Sequence, residues 1–291
     1  QAAREFPPNR VEKITAIPQS KLKKAALMYG EAEKATILFA MGITQHSHGT
    51  DNVLSTANLA MITGNVGKES TGVNPLRGQN NAQGACDLGA LPDVYPGYQG
   101  VDVKKNQQKF AKAWKAELSS EPGLTVVEMM NAARKGDVKG MYIMGENPMV
   151  SDPDIGHVEK SLKKLDFLAV QDIFLTETAQ YADVVLPAAS FLETEGSFTN
   201  SERRIQKLNR AIAPKGNTKP DWKIISELST LLGNQMNYDS AMEITNEITE
   251  VTPIYEGITA ERIEDKKGLQ WPCNNTDDPG TKFLHKGKFS R

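Results

Sequence analysis

Apolar residues in this chain come either in short unbroken runs or in stretches where they recur every three or four positions. "ATILFAMG" (35–42), "GMYIMGENP" (140–148), "FLAVQDIF" (167–174) and "ADVVLPAAS" (182–190) are almost wholly apolar, the pattern of strands buried on both faces. Between them lie amphipathic segments with readable ends. "TDNVLSTANLAMITG" sets Val53, Leu54, Ala57, Ala60 and Met61 at helical spacing and stops at Gly64. "TVVEMMNAARKG" opens on a capping box of Thr125 and Glu128 and closes at Gly136. "DIGHVEKSLKKL" puts Ile155, Val158, Leu162 and Leu165 on one stripe. Strand and helix in alternation predict an α/β fold with a parallel sheet. Beyond about residue 190 the pattern changes. "GSFTNSERRIQKLNRAIAP" reads as an irregular or hairpin region, "DWKIISELSTLLG" as a helix, and the last forty residues or so as loop-rich.

Each apolar run opens into a small polar cluster: Met41 and Gly42 with Gln45, then Gly145, Glu146 and Asn147, then Gln171 and Asp172, then Pro187 before Ser190. Open parallel sheets bind ligands beyond the carboxyl ends of their strands. Amide and carboxylate tips suit a nucleotide base with several donors and acceptors, such as guanine. They are equally the turn residues that α/β proteins place there, and the pattern leaves both open. The segment "NPLRGQNNAQGACDLGALPDVYPGYQG" (74–100) is different again: Arg77 sits among uncharged polar groups, and Asp87 and Asp93 are the only other charges. Such a loop is expected to fold against something polar rather than against water.

Composition narrows the function classes. Lys+Arg 34 against Asp+Glu 36 leaves a formal charge of -2, so no global basic field points to nucleic acid. No apolar run approaches the ~20 residues of a membrane span, and no signal-peptide layout is present, so a cytoplasmic protein is expected. The length, 291 residues, suits about two domains of roughly 150 residues each. Cys86 and Cys273 form no CxxC pattern and read as reduced thiols. His46 and His48 lack a third ligand nearby, so no metal site is assigned. There is no GxGxxG, and "GNVGKES" fails as a phosphate loop because Ile62 and Glu69 stand where glycine and Ser/Thr are required.

Several long motifs carry a resemblance. "MGITQ", "TGNVGKESTGVNPLRGQNNAQGACDLGALPDVYPGY", "YIMGENP", "VQDIFLTETAQYADVVLPAASFLETEGSFTNSERRIQ" and "TKPDWKIISELS" resemble, in that order, the catalytic subunit of molybdenum- or tungsten-dependent formate dehydrogenases, in the molybdopterin oxidoreductase family. The resemblance runs from about residue 35 onwards. It implies parallel-sheet, nucleotide-binding (Rossmann-like) domains: the end of one over 1–79, a second over 80–190, and a smaller mixed region over 191–291 leading to a C-terminal barrel. It implies a bis(molybdopterin guanine dinucleotide) cofactor with molybdenum or tungsten. It also implies an iron-sulfur cluster in the full-length protein, whose cysteines, like the metal-ligating cysteine or selenocysteine, lie upstream of the position of Gln1. The substrate implied is formate, oxidised to carbon dioxide, and the partner is an electron-acceptor subunit or domain.

Residue by residue, the resemblance makes Arg77 the catalytic contact to formate. A guanidinium is permanently charged and forms paired hydrogen bonds to a carboxylate. The cofactor contacts it implies are Met41, Gly42, Gln45, Gln79, Asn80, Gly145, Asn147, Ser151, Gln171, Asp172, Asp183 and Asp221. Asp183 or Asp221 can accept from the N1 and N2 edge of guanine, although Asp221 is also placed to cap the helix that follows it. Asn147 stands where close relatives often have Asp. Two alternatives stay open: another molybdopterin oxidoreductase such as a nitrate reductase, against which Arg77 in "PLRGQNN" speaks, and a non-catalytic scaffold subunit of an electron-transfer complex.

Overall fold

In a computed structural model, which describes residues 2–264 and 267–286, the first apolar run is a strand only as far as Phe39. The helices α1 (Pro8–Thr15) and α2 (Gln19–Glu31) precede this strand, β1 (Thr36–Phe39). At Ala40 the backbone leaves strand geometry, and the short helix α3 (Met41–Thr44) begins directly beyond it. Helix α4 (Gly49–Ile62) ends as expected, with Gly64 at φ +69°. The chain then returns as β2 (Gly72–Pro75), parallel to β1 in the register Thr36↔Gly72 to Phe39↔Pro75. "GVNP" carries no apolar run, so β2 was not expected. Its proline is tolerated because an edge strand can spare one N–H. These elements, with the segment that begins at Thr281, form one compact unit ending at Gln79. The stripe expected on α4 is only partly covered: Ala60 is buried, but Leu54 and Met61 are about half exposed. Two short strands offer too little area to bury a fourteen-residue helix face.

A second compact unit spans Asn80–Gly280. It opens with α5 (Ala82–Asp87), the two-residue strands β3 (Val94–Tyr95) and β4 (Gln99–Gly100), and α6 (Lys104–Trp114), whose Phe110 stacks on Tyr95. Next come α7 (Val126–Lys135), β5 (Gly140–Met144), α8 (Pro148–Ser151), α9 (Ile155–Leu162), β6 (Phe167–Asp172) and β7 (Val184–Pro187). The capping box at the start of α7 is formed in full. Strands β5, β6 and β7 make a parallel sheet in that order. Met130 of α7, Val158 and Leu162 of α9, Ile143 of β5, and Leu168 and Val170 of β6 form its core.

Burial on both faces holds for β6 alone, where residues 168–171 are all buried. The flanking strands keep Tyr142, Met144 and Val184 about 40–47% exposed. Alternate side chains of a strand face opposite sides: on β5 Ile143 joins the core while Tyr142 and Met144 face away from it, and β7 adds no residue to that core, with both Val184 and Val185 exposed. The hairpin expected after residue 190 is present as β8 (Gly196–Thr199) and β9 (Arg204–Leu208). Helices α10 (Asp221–Leu231) and α11 (Ala241–Val251) follow, and β10 (Leu269–Gln270) adds to β9. The loop-rich segments 252–264 and 271–280 still supply a core of their own: Tyr255, Ile258, Ile263 and Cys273 pack on Ile205. Among the described residues no helix is long and apolar enough to cross a membrane.

Candidate active site

The carboxyl ends of β5, β6 and β7 lie together in the second unit, because the parallel register pairs Met144 with Gln171 and Asp172 with Pro187. Gly145, at φ +63°, turns the chain away from β5 while its N–H still donates to the Gln171 carbonyl at 2.9 Å. A side chain there would be strained in the left-handed region. The loop before α10 runs beside the end of β7. Lys219 N–H donates to the Pro187 carbonyl, and Ala189 N–H to the Lys219 carbonyl. That pairing delivers Asp221 to the sheet end.

Gln171 organises this end. It is completely buried, its carbonyl oxygen accepts from the Tyr142 hydroxyl, and its amide donates to Asp221 Oδ1 at 2.5 Å. Burial, and then the charge of Asp221, raise the Tyr142 phenol above its ordinary range. Asp221 is exposed, and capping does not account for its position: Pro220 is the N-cap of α10 and no side chain caps it. The outcome is an exposed carboxylate, an acceptor only, held at the strand tips by a buried amide. A cleft of about 660 Å³ lies beside it, lined by Leu186, Pro187, Ile224, Leu228 and the ion pair Lys219–Glu227.

Other predicted residues at this end are occupied within the chain. Asn147 donates to Glu177 Oε2 at 2.8 Å and accepts from the backbone and hydroxyl of Thr178. That bond from Asn147 holds the Glu177 carboxyl below its usual range. The Ser151 hydroxyl donates to Glu146, and Asp172 Oδ1 accepts from Phe174 N–H. Asp183 is not brought to the site. It precedes β7 at the amino end of the sheet, where it exchanges hydrogen bonds with Leu168: its N–H donates to the Leu168 carbonyl and its carboxylate accepts the Leu168 N–H at 2.7 Å. Tyr142, Glu177 and Thr178 were missed by the sequence reading. Only the polar position of Tyr142 within an apolar run hinted at any of them.

In the first unit, β1 and β2 also end side by side, with Leu76 N–H donating to the Phe39 carbonyl at 2.7 Å. Met41 and Gly42 on α3 and Gln45 just after it follow one tip; Arg77 and Gln79 follow the other. Arg77 is exposed two residues beyond β2. Asn80 opens the second unit, also exposed. His46 Nε2 lies 2.9 Å from the Gly42 carbonyl, which gives that histidine a structural part. Among the described residues, no group of three or more His, Cys, Asp or Glu is placed to hold a metal ion.

A family model described as "Molybdopterin oxidoreductase" matches residues 16–231, most of both units. The chain belongs to the molybdopterin oxidoreductase family. It is 52% identical over 288 residues to the "F420-dependent formate dehydrogenase subunit alpha" of Methanocaldococcus jannaschii, covering 98% of this chain and 42% of that protein. It is 46% identical over 287 residues to "Formate dehydrogenase H" of Escherichia coli, covering 98% of this chain and 40% of that one. The chain thus spans about two fifths of the length of these curated relatives. Among solved structures, acetylene hydratase from Pelobacter acetylenicus matches with a TM-score of 0.64 over 84% of this chain and 36% of that one. At 17% identity, that likeness speaks for a shared fold alone.

Proposed function

We propose that this chain is a cofactor-binding section of a formate dehydrogenase catalytic subunit, which oxidises formate to carbon dioxide at a bis(molybdopterin guanine dinucleotide) centre. Similarity over 98% of the chain to proteins named for formate oxidation carries the reading. In it, residues 1–79 and 80–190 are parts of two Rossmann-like cofactor domains, and 191–291 leads on toward a barrel. An iron-sulfur cluster and an electron-acceptor subunit belong to the whole protein.

The donor set fits such a cofactor. Guanine offers N–H groups on one edge, and Asp221, oriented by the buried Gln171, presents an acceptor-only group at the carboxyl end of a parallel sheet. Gly145 and Asp172 shape the same end through backbone and turn contacts, and Asn147 and Ser151 do so by fixing the loop beyond β5. Met41, Gly42, Gln45, Gln79 and Asn80 are the contacts proposed from the other tips and the loop between the units' sequences. Asp183, whose carboxylate accepts the Leu168 N–H, is left out of the proposed contacts. When bound, the metal-pterin group supplies two-electron redox chemistry, and the protein supplies binding and orientation. Arg77 takes the substrate: its fork matches a carboxylate, the only handle formate has.

The test uses the full-length protein. Purified enzyme should contain molybdenum or tungsten with a guanine-bearing pterin, and should reduce a viologen dye when given formate. Asp221→Ala should lower the guanine and pterin content. A protein that carries the pterin and reduces no dye with formate would overturn the substrate assignment. Full pterin content in Asp221→Ala would remove the guanine contact.

A further inference from the structure

Asp87, in the last turn of α5, is completely buried. Its Oδ1 accepts from Gln83 Nε2 and from the Tyr98 hydroxyl, each at 2.7 Å. Its Oδ2 accepts from the Tyr255 hydroxyl at 2.7 Å and from Trp271 Nε1 at 2.6 Å. Burying a carboxylate is costly unless its lone pairs are met, and here two donors meet each oxygen. The donors come from far apart in sequence: α5 itself, the hairpin after β3, and two points of the irregular region after α11. Arg203, stacked 5.3 Å over the Trp271 ring, adds a positive charge that interacts with Asp87. Asp87 can be satisfied only when all these segments are in place.

The same helix begins two residues after Asn80. Asn81, in the left-handed conformation at φ +63°, accepts the Thr199 N–H at 2.9 Å through its side chain. Gly84 is glycine because a Cβ there would meet Asn81 Oδ1 at 2.2 Å. The start of α5 is therefore fixed to β8, and its end to the Asp87 knot. A helix held at both ends fixes the point where the chain enters it, at Asn80; Gln79 and Arg77 lie one and three residues upstream in the sequence.

We infer that Asp87, through its four donors, is a positioning residue that sets the anchor of the Arg77 loop and so tunes how formate is held. The inference rests on the role given to Arg77 under the proposed function. Asp87 touches neither substrate nor cofactor. It acts through the placement of α5.

The test compares Asp87→Asn, Tyr98→Phe and Arg77→Ala in the full-length enzyme. An asparagine turns an N–H2 toward Trp271 Nε1 or Tyr98, and the indole can only donate. Tyr98→Phe removes one donor and is the gentler change if Asp87→Asn does not fold. Amide hydrogen exchange over residues 78–88 should quicken in either variant. Misplacement of a substrate-holding group by about 1 Å costs on the order of a hundredfold. For enzyme with full pterin content, kcat/KM for formate should accordingly fall about tenfold to a hundredfold, mostly through KM. A knot that only stabilises the fold would lower Tm and yield and leave KM unchanged in the pterin-loaded fraction, and that result overturns the inference. Undiminished formate oxidation by Arg77→Ala would instead sink the arginine reading, and this inference with it.

Discussion

Arg77 is the residue on which the functional reading turns. If it grips formate in a closed, desolvated site, Arg77→Ala removes one partner of a charged pair, a loss on the order of 2–5 kcal/mol. That is about thirtyfold to several thousandfold in kcat/KM, at about 1.4 kcal/mol per factor of ten. Arg77→Lys should recover part of this, since one ammonium cannot reproduce the fork. Pterin and metal content should stay at the wild-type level in both, as measured by cofactor extraction. Activity lost only in proportion to lost cofactor would make Arg77 a cofactor residue instead. This arginine was legible in sequence as a lone cation in an uncharged loop, and Gln171 and Asp221 were legible as polar groups next to an apolar run and a helix. Asp183 could not be placed from sequence for a physical reason: "ADVVLPAAS" has a polar residue at each end, and only the pairing with β6 sets Asp183 against Leu168 and Pro187 against Asp172. The bonds from Asn147 to Glu177 and Thr178 span about thirty residues, and no local pattern encodes them.

At the scale of elements, local signals were most reliable where the chemistry is local. The capping box of α7 is one: Thr125 Oγ1 accepts the Glu128 N–H, and Glu128 Oε2 accepts the Thr125 N–H. Thr125→Ala should cost about 1 kcal/mol, the usual value of an N-cap, read as a lowered urea midpoint at unchanged slope. An unchanged midpoint would mean that the packing of Met130 and Ala133 alone holds this helix. Leu168→Ala, in the middle of the parallel sheet's core, should cost more, about 2–5 kcal/mol. Strand existence was readable from the apolar runs, but strand neighbours were not. The run at 35–42 pairs with "GVNP", a segment whose Asn74 and Pro75 look like a turn. Edge or centre was equally hidden, because β5 and β7 are as apolar as β6 and differ from it only in having one strand beside them.

For the whole molecule, the change from alternating strand and helix to a less regular pattern after about residue 190 was legible, while the hydrogen bonds that tie α5 to the later segment were not. The nearly uncharged 74–100 segment raised the question of what it folds against, and for its Asp87 part of the answer is Tyr255 and Trp271 from the chain after α11. The 291-residue chain by itself should not oxidise formate: it has two cysteines, one buried, which is no set of thiolates for an iron-sulfur cluster. Viologen reduction above a no-protein control would refute this. The Asp87 knot should also leave a mark on the pH dependence of stability. Burial first, and then the charge of Asp87, raise the Tyr255 phenol well above its ordinary value. Below pH ~10 both folded and unfolded chains keep this proton, and its contribution is fully present. Above pH ~10 the unfolded chain releases it and the folded chain does not, so unfolding is favoured by about 1.4 kcal/mol per pH unit until the folded value is reached. Lysines and the other tyrosines titrate in the same window, so the comparison must be between variants. Urea unfolding at pH 9, 10 and 11 (values chosen to bracket the ~10 of a free phenol) should show Tyr255→Phe less stable at the lowest pH, because Asp87 Oδ2 has lost a donor. The variant's stability should then decline less steeply by about one proton. Parallel slopes in the two proteins would mean that Tyr255 titrates in the folded state as it does in the unfolded one, and that the knot is open to solvent.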